Sequence, residues 1–159
     1  MTVVYLGVGS NIENKEKHIK TAVSFLGDFS TVKTMSRLYL TEPIGFSNQD
    51  WFLNAVVEIE TNLDPEILLS KLQSIERKLG RKKTVQNGPR SIDIDILFYG
   101  DQVVQTKKLV IPHPRLHERL FVLQPMMDLN PTFIHPVLHK TIWELYEEHP
   151  WAEIVTPYK

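Results

Sequence analysis

The chain has no cysteine. That excludes a disulfide-stapled scaffold, a cysteine-ligated zinc and a thiol nucleophile, and it accords with a reducing cytoplasm. Seven glycines and ten prolines among 159 residues are too few for a collagenous or linker-like chain. No apolar run approaches the ~18 residues of a membrane span. Neither sign of charge dominates: eighteen Lys+Arg against nineteen Asp+Glu leave a formal net charge of -1. A protein held to nucleic acid mainly through phosphates carries a basic excess, so that class is disfavoured. Residues 1–12 are uncharged, like the apolar part of a signal peptide. No Lys or Arg precedes that stretch, however, and Gly7, Gly9, Ser10 and Asn11 interrupt it. Hydrophobic residues at 42% and charged residues at 23% lie near globular averages. The expectation is one cytoplasmic domain over residues 1–159, of about the usual domain length.

Periodicity supplies the elements. Residues 3–9 alternate around small side chains and read as a strand. Residues 15–26 read as a helix, with Ile19, Ala22, Val23 and Leu26 on one stripe and Gly27 at the C-cap position. A second strand is expected over 31–39 and a third, rich in β-branched residues, over 52–61. Asp64 offers an N-cap for a second helix, Pro65 suits its first turn, and Leu68, Leu72, Ile75 and Leu79 form its apolar stripe up to Gly80. A strand over 92–99 completes β-α-β-β-α-β, the ferredoxin-like order. The fold class expected is α+β: this core, extended by strand-like pieces near Val103 and Val110 and short helices near Leu120 and Ile142. Its sheet would be predominantly antiparallel with helices packed on it. The long loops at 41–50, with Pro43 and Gly45, and at 81–89 are of a kind that is often functional.

The strand at 92–99 carries the clearest chemistry. Ile92, Ile94 and Ile96 alternate with Asp93 and Asp95, so both carboxylates face the same way, roughly 7 Å apart. Their mutual repulsion would be relieved by divalent cations, and Mg²⁺ favours a few carboxylates plus phosphate oxygens. A solvated strand face is the alternative. Arg81, Lys82, Lys83 and Arg90 precede the pair, and His113, Arg115, His117 and Arg119 follow it. Mobile cations around paired carboxylates suit a metal-bound polyphosphate. Singly, each cation reads equally as a solvated loop charge paired with Glu76 or Glu118. Phe52 and Asn54 share one strand face, with Leu53, Ala55, Val57 and Ile59 on the other. The aromatic and the amide could stack on a flat heterocycle and bond its edge, or belong to a covered sheet face. Phe121 carries the same ambiguity.

Other motifs fail. Gly7-Val8-Gly9 opens a dinucleotide fingerprint, but Ile12 holds the third glycine position. There is no P-loop and no G-x-S-x-G. His113 and His117 have helical zinc spacing, yet Pro114 stands between them and H-E-x-x-H is absent. The RNA-binding aromatic signature is also missing.

The run Gly88-Pro89-Arg90-Ser91-Ile92-Asp93-Ile94-Asp95-Ile96-Leu97 resembles the signature of the 6-hydroxymethyl-7,8-dihydropterin pyrophosphokinases of folate biosynthesis. Leu6-Gly7-Val8-Gly9-Ser10-Asn11, Tyr39-Leu40-Thr41-Glu42-Pro43-Ile44-Gly45 and Phe52-Leu53-Asn54-Ala55 continue the likeness, as do Ile75-Glu76-Arg77-Lys78-Leu79-Gly80-Arg81 and Ile111-Pro112-His113-Pro114-Arg115. Glu118-Arg119-Leu120-Phe121 ends it, so the ordered matches run over about residues 3–131. The resemblance implies transfer of pyrophosphate from ATP to the pterin hydroxymethyl oxygen, leaving AMP. It implies two Mg²⁺ ions held by Asp93 and Asp95, and a triphosphate surrounded by Arg81, Lys83, Arg90, His113 and Arg119. Phe52 and Phe121 would sandwich the pterin. Asn54 would read its edge, with the backbone near Thr41 and Ile44. Leu69, Gln73, Glu76, Ile96 and Val110 match the adenosine-side residues. A monomer without nucleic-acid or membrane partners is expected.

Two departures stand out. The family commonly has Arg-Trp where this chain has Gln86-Asn87, and Arg where it has Lys83. Lys balances phosphate charge without a bidentate grip, so a loop that closes less tightly is expected. The rival readings are a non-catalytic nucleotide-sensing module on the same scaffold and a two-metal nucleotidyl transferase.

Overall fold

A computed structural model describes residues 1–42, 50–80, 91–150 and 153–158. The expected core appears as five strands joined in one sheet: β1 (Thr2–Ser10), β4 (Phe52–Thr61), β5 (Asp93–Tyr99) and, beside β4, the pair β2 (Thr31–Met35) and β3 (Tyr39–Thr41). The order β5-β1-β4-β3, with every pairing antiparallel, is the ferredoxin-like arrangement. A further strand, β8 (Val155–Pro157), adds to β3 at the edge. Two short strands, β6 (Val104–Gln105) and β7 (Val110–Ile111), form a separate hairpin.

Helices α1 (Lys15–Leu26) and α2 (Pro65–Lys78) cover one face. Their stripes, Ile19, Ala22 and Leu26 with Leu68, Leu72 and Ile75, are buried against Val4, Leu6, Val8, Leu53, Val57, Ile59, Ile94 and Ile96. Pro65 opens α2 as expected, but the Asp64 side chain makes no capping hydrogen bond, and Gly27 ends α1 with φ of -63°, a conformation open to any residue. On the other face α3 (Leu120–Leu129) and α4 (Ile142–Glu148) pack over Tyr5, Val56, Leu97 and Phe98. No described helix is long and apolar enough to cross a membrane.

The single strand expected over 31–39 is instead two. Met35 pairs with Val57 and Tyr39 with Asn54, four steps on one side against three on β4. The extra residue is taken up at Ser36, whose N–H donates to the Val56 carbonyl and whose Oγ accepts from Val56 N–H. Bulges of this kind follow from the pairing partner, which alternation within one segment does not reveal. A second bulge, at Leu97, lets both Leu97 and Phe98 join the cluster under α3 while Ile96 and Tyr99 stay with α1 and α2.

The turn before α4 is organised by His135, which is 4% exposed. Its Nδ1 accepts from the backbone N–H groups of Val137 and Leu138, and its ring meets Phe98 edge-on at 5.5 Å. Burial above all, then His117 and His139, pushes its pKa down from 6.5 to about 4. Between those two values the unfolded chain binds the extra proton, so stability is complete above the upper value and falls as the pH drops through the window. Urea unfolding at pH 7 and pH 5 should show His135→Asn losing less stability than the parent on acidification, by on the order of 1–2 kcal/mol. Equal losses in both proteins would contradict a buried neutral imidazole.

Candidate functional site

The face under α3 is only partly covered, and its open part lies over β4, β1 and β5. The register sets two rows of residues across these strands. Asn54 lies beside Gly9, which lies beside Asp93; Val56 lies beside Gly7, which lies beside Asp95. Alternation puts all six on one face. The middle strand therefore offers no side chains there, and the floor is bare backbone between an amide and two carboxylates. Spacing of two strands separates Asn54 from Asp93 by about 10 Å.

This floor opens into a cavity of about 620 Å³, a size suited to a small ligand. Among the residues singled out from the sequence, Thr41, Phe52, Asn54, Asp93, Asp95, His113, Arg115, Arg119 and Phe121 line it. Thr41 and Phe52 face each other across the β3–β4 pair. Asn54 is buried and its Nδ2 donates to Thr41 Oγ1 at 2.7 Å, so the Thr41 side chain orients the amide. Phe52, Asp93 and Asp95 are half-buried at the cavity wall and floor.

The opposite wall comes from the segment after β7. The Ile111–Pro112 peptide is cis, and His113 N–H then donates to the Leu97 carbonyl at 3.1 Å, fastening the segment along the outer edge of β5. Arg115 N–H donates to His113 Nδ1 at 3.3 Å, which leaves Nε2 to carry the ring proton. Burial first, then the cations Arg119 and Arg115, pushes the His113 pKa down to about 4 against the opposing pull of Asp93. His113 is thus a neutral hydrogen-bond donor rather than one more cation. A 3-10 turn (Leu116–Glu118) leads into α3, placing Arg119 at the N-cap and Phe121 in the first turn. The Arg119 guanidinium carbon stands 5.6 Å from the Phe121 ring centroid. Arg115 pairs with Glu118 at 3.1 Å on the surface.

The remaining expected residues divide into two groups. Ile44, Arg81, Lys83 and Arg90, with Gln86 and Asn87, lie outside the described residues. Leu69, Gln73, Glu76, Ile96 and Val110 do not line the cavity. Ile96 is in the core under α1 and α2, with Leu69 packed against it. Gln73 and Val110 are exposed. Glu76 is buried, and its Oε2 accepts from Ile94 N–H at 2.9 Å from outside the sheet, tying α2 to the free edge of β5.

Also at the cavity are Gly7, Gly9 and Glu42, which the sequence analysis named only within motifs and gave no role, and Glu153, which it did not single out. The glycines had a legible signal: two glycines two apart in a strand share a face. Glu153 had none, because its place depends on β8 joining β3. Asp93 and Asp95 offer hard oxygen donors only. Among the described residues no group of three or more His, Asp or Glu side chains could hold a metal. Two carboxylates with room above them suit Mg²⁺, which takes its other ligands from phosphate and water.

Residues 5–131 match the family described as 7,8-dihydro-6-hydroxymethylpterin-pyrophosphokinase (HPPK). A 2-amino-4-hydroxy-6-hydroxymethyldihydropteridine pyrophosphokinase of Aquifex aeolicus is 41% identical over 149 residues, covering 94% of this chain and 93% of the relative. The enzyme of the same description from Bacillus subtilis is 43% identical over 129 residues, 80% and 77% of the two chains. The folic acid synthesis protein fol1 of Schizosaccharomyces pombe is 43% identical over 150 residues, which are 93% of this chain but 20% of that one. Among solved structures, wild-type Plasmodium falciparum HPPK-DHPS with pteroate superposes with a TM-score of 0.76 at 18% identity, over 92% of this chain and 42% of that chain. At that identity the likeness bears on the fold alone.

A Cβ on Gly9 would stand 2.6 Å from Asn54 Oδ1, whereas one on Gly7 would meet Leu97 at an ordinary 3.4 Å. Because Asn54 is tied to Thr41, it cannot swing away without losing that bond. Gly9→Ala should therefore lower stability by about 1–3 kcal/mol and Gly7→Ala by less than about 1, read by denaturant unfolding. The reverse order would contradict the bare floor described above.

Proposed function

The chain belongs to the 7,8-dihydro-6-hydroxymethylpterin-pyrophosphokinase family, and we propose that its cavity is where pyrophosphate passes from ATP to the hydroxymethyl group of the dihydropterin in folate synthesis. The observation that carries this reading is the pair of rows across β4, β1 and β5. They set a buried amide at one end of a side-chain-free floor and two carboxylates at the other. A flat heterocycle can lie over Gly7 and Gly9 with its edge on Asn54 and its arm toward Asp93 and Asp95.

In this reading Phe52 and Phe121 stack on the two faces of the pterin, and Asn54, held by Thr41, bonds its polar edge. The backbone near Thr41 and Ile44 completes that edge. The hydroxymethyl oxygen forms a bond to the β-phosphorus as the bond from that phosphorus to the α–β bridging oxygen breaks; AMP leaves, and the hydroxyl proton passes to solvent. Two Mg²⁺ ions bound by Asp93 and Asp95 would neutralise phosphate charge and polarise the attacking hydroxyl. Arg119, with Arg81, Lys83 and Arg90 from the sequence preceding β5, balances the charge spreading over the triphosphate. His113, neutral with its proton on Nε2, donates a hydrogen bond to a phosphate oxygen. Adenosine lies toward the outer edge of β5, where Glu76 meets Ile94, and Leu69, Gln73, Ile96 and Val110 would complete its side of the site.

Asp93→Ala and Asp95→Ala should each lower turnover by several orders of magnitude while changing pterin affinity little. Phe121→Ala should instead weaken pterin binding, with stacking worth roughly 0.5–1.5 kcal/mol beyond burial, and leave turnover at saturation less affected. Steady-state kinetics with pterin titration separate the two. Equal effects of both kinds of change on both quantities would overturn this division of roles.

A further inference from the structure

The end of the chain closes onto the start of α3. His149, which follows α4 and is 6% exposed, places Nε2 3.0 Å from the Glu118 carbonyl oxygen, to which it donates. Four residues on, Glu153 Oε2 accepts from Leu120 N–H at 2.9 Å, and its Oε1 lies 3.7 Å from His149 Nε2. Ile154 N–H reaches Glu42 Oε1 at 3.4 Å, and β8 pairs Val155 with Thr41. Glu153, Ile154 and Val155 thus bridge the wall that carries Thr41 and the wall that carries Arg119 and Phe121.

The N–H groups of a helix's first turn have no partner within the helix, and a side chain at the N-cap usually supplies one. At α3 the N-cap is Arg119, which makes no capping bond. A carboxylate 33 residues away fills that role, with a charge that also suits the helix N-terminus. The other end of α3 is fixed separately: Asp128 accepts from Tyr39 OH at 2.7 Å and from Arg37. Glu153 therefore bonds the end of α3 at the cavity, where Arg119 lies against the Phe121 ring.

We infer that Glu153, supported by His149, is a positioning residue that holds the first turn of α3 so that Phe121 presents its ring to the pterin. The inference rests on the reading of Phe121 as the pterin-stacking side chain. A cap that served stability alone would change melting temperature without acting through Phe121.

The test is a double-mutant cycle on pterin affinity, titrated in the presence of a non-hydrolysable MgATP analogue, with Glu153→Ala, Phe121→Ala and both together. Glu153→Ala alone should weaken pterin binding about tenfold, and far less in the Phe121→Ala background. Glu153→Gln, whose amide oxygen accepts the same bond from Leu120, should stay within about threefold of the parent. Should Glu153→Ala fail to fold, Glu153→Asp, one methylene too short to reach Leu120, carries the same cycle. No loss on shortening or removing Glu153, or an equal loss in both backgrounds, would overturn the inference. If Phe121→Ala itself left pterin affinity unchanged, the pterin site would be wrong, and that result is distinct from the failure of Glu153 alone.

Discussion

Everything at the cavity depends on the two-residue alternation of a strand, applied to three strands held in fixed register. β5 must bury Ile94 and Ile96 against the helices, so Asp93 and Asp95 have to point the other way. β1 lies between β5 and β4, and on that same face it carries Gly7 and Gly9. Shifting either pairing by one residue would send the carboxylates into the core and lift the isoleucines to the open face. The buried side of the sheet thereby enforces the arrangement of the open side.

Several contacts guard that register from outside the ladder. Glu76 accepts from the Ile94 N–H at the edge of β5, and His113 N–H occupies the Leu97 carbonyl further along the same edge. An edge strand with satisfied groups is less available for foreign pairing. The bulge at Leu97 marks where β5 stops alternating in step with β1. Beyond it, two consecutive side chains turn toward α3 and help form the floor on which that helix rests. The cavity is the stretch of the face that α3 leaves uncovered.

Much of this was legible in the sequence. The D-x-D flanked by isoleucines, the separation of Phe52 and Asn54 from Leu53 and Val57, and the apolar stripes of α1 and α2 all rest on local periodicity, and each appears in the fold. What was not legible depends on partners distant in the chain. The break between β2 and β3 follows from an extra residue opposite β4. The capping of α3 comes from Glu153, and Thr41 contributes a hydroxyl to Asn54 because β3 and β4 pair. The neutrality of His113 arises from burial and from Arg119 and Arg115, features that the residue type alone does not disclose. The expected Asp64 side-chain cap failed for a related reason: propensity marks a position, while the bond depends on the rotamer adopted.

The central claim is a reaction, and its products identify it. Purified protein incubated with MgATP and the hydroxymethyl dihydropterin, with the adenine nucleotides separated over time, should yield AMP only when the pterin and Mg²⁺ are both present. ADP, or pyrophosphate without AMP, would contradict pyrophosphoryl transfer while leaving the fold untouched.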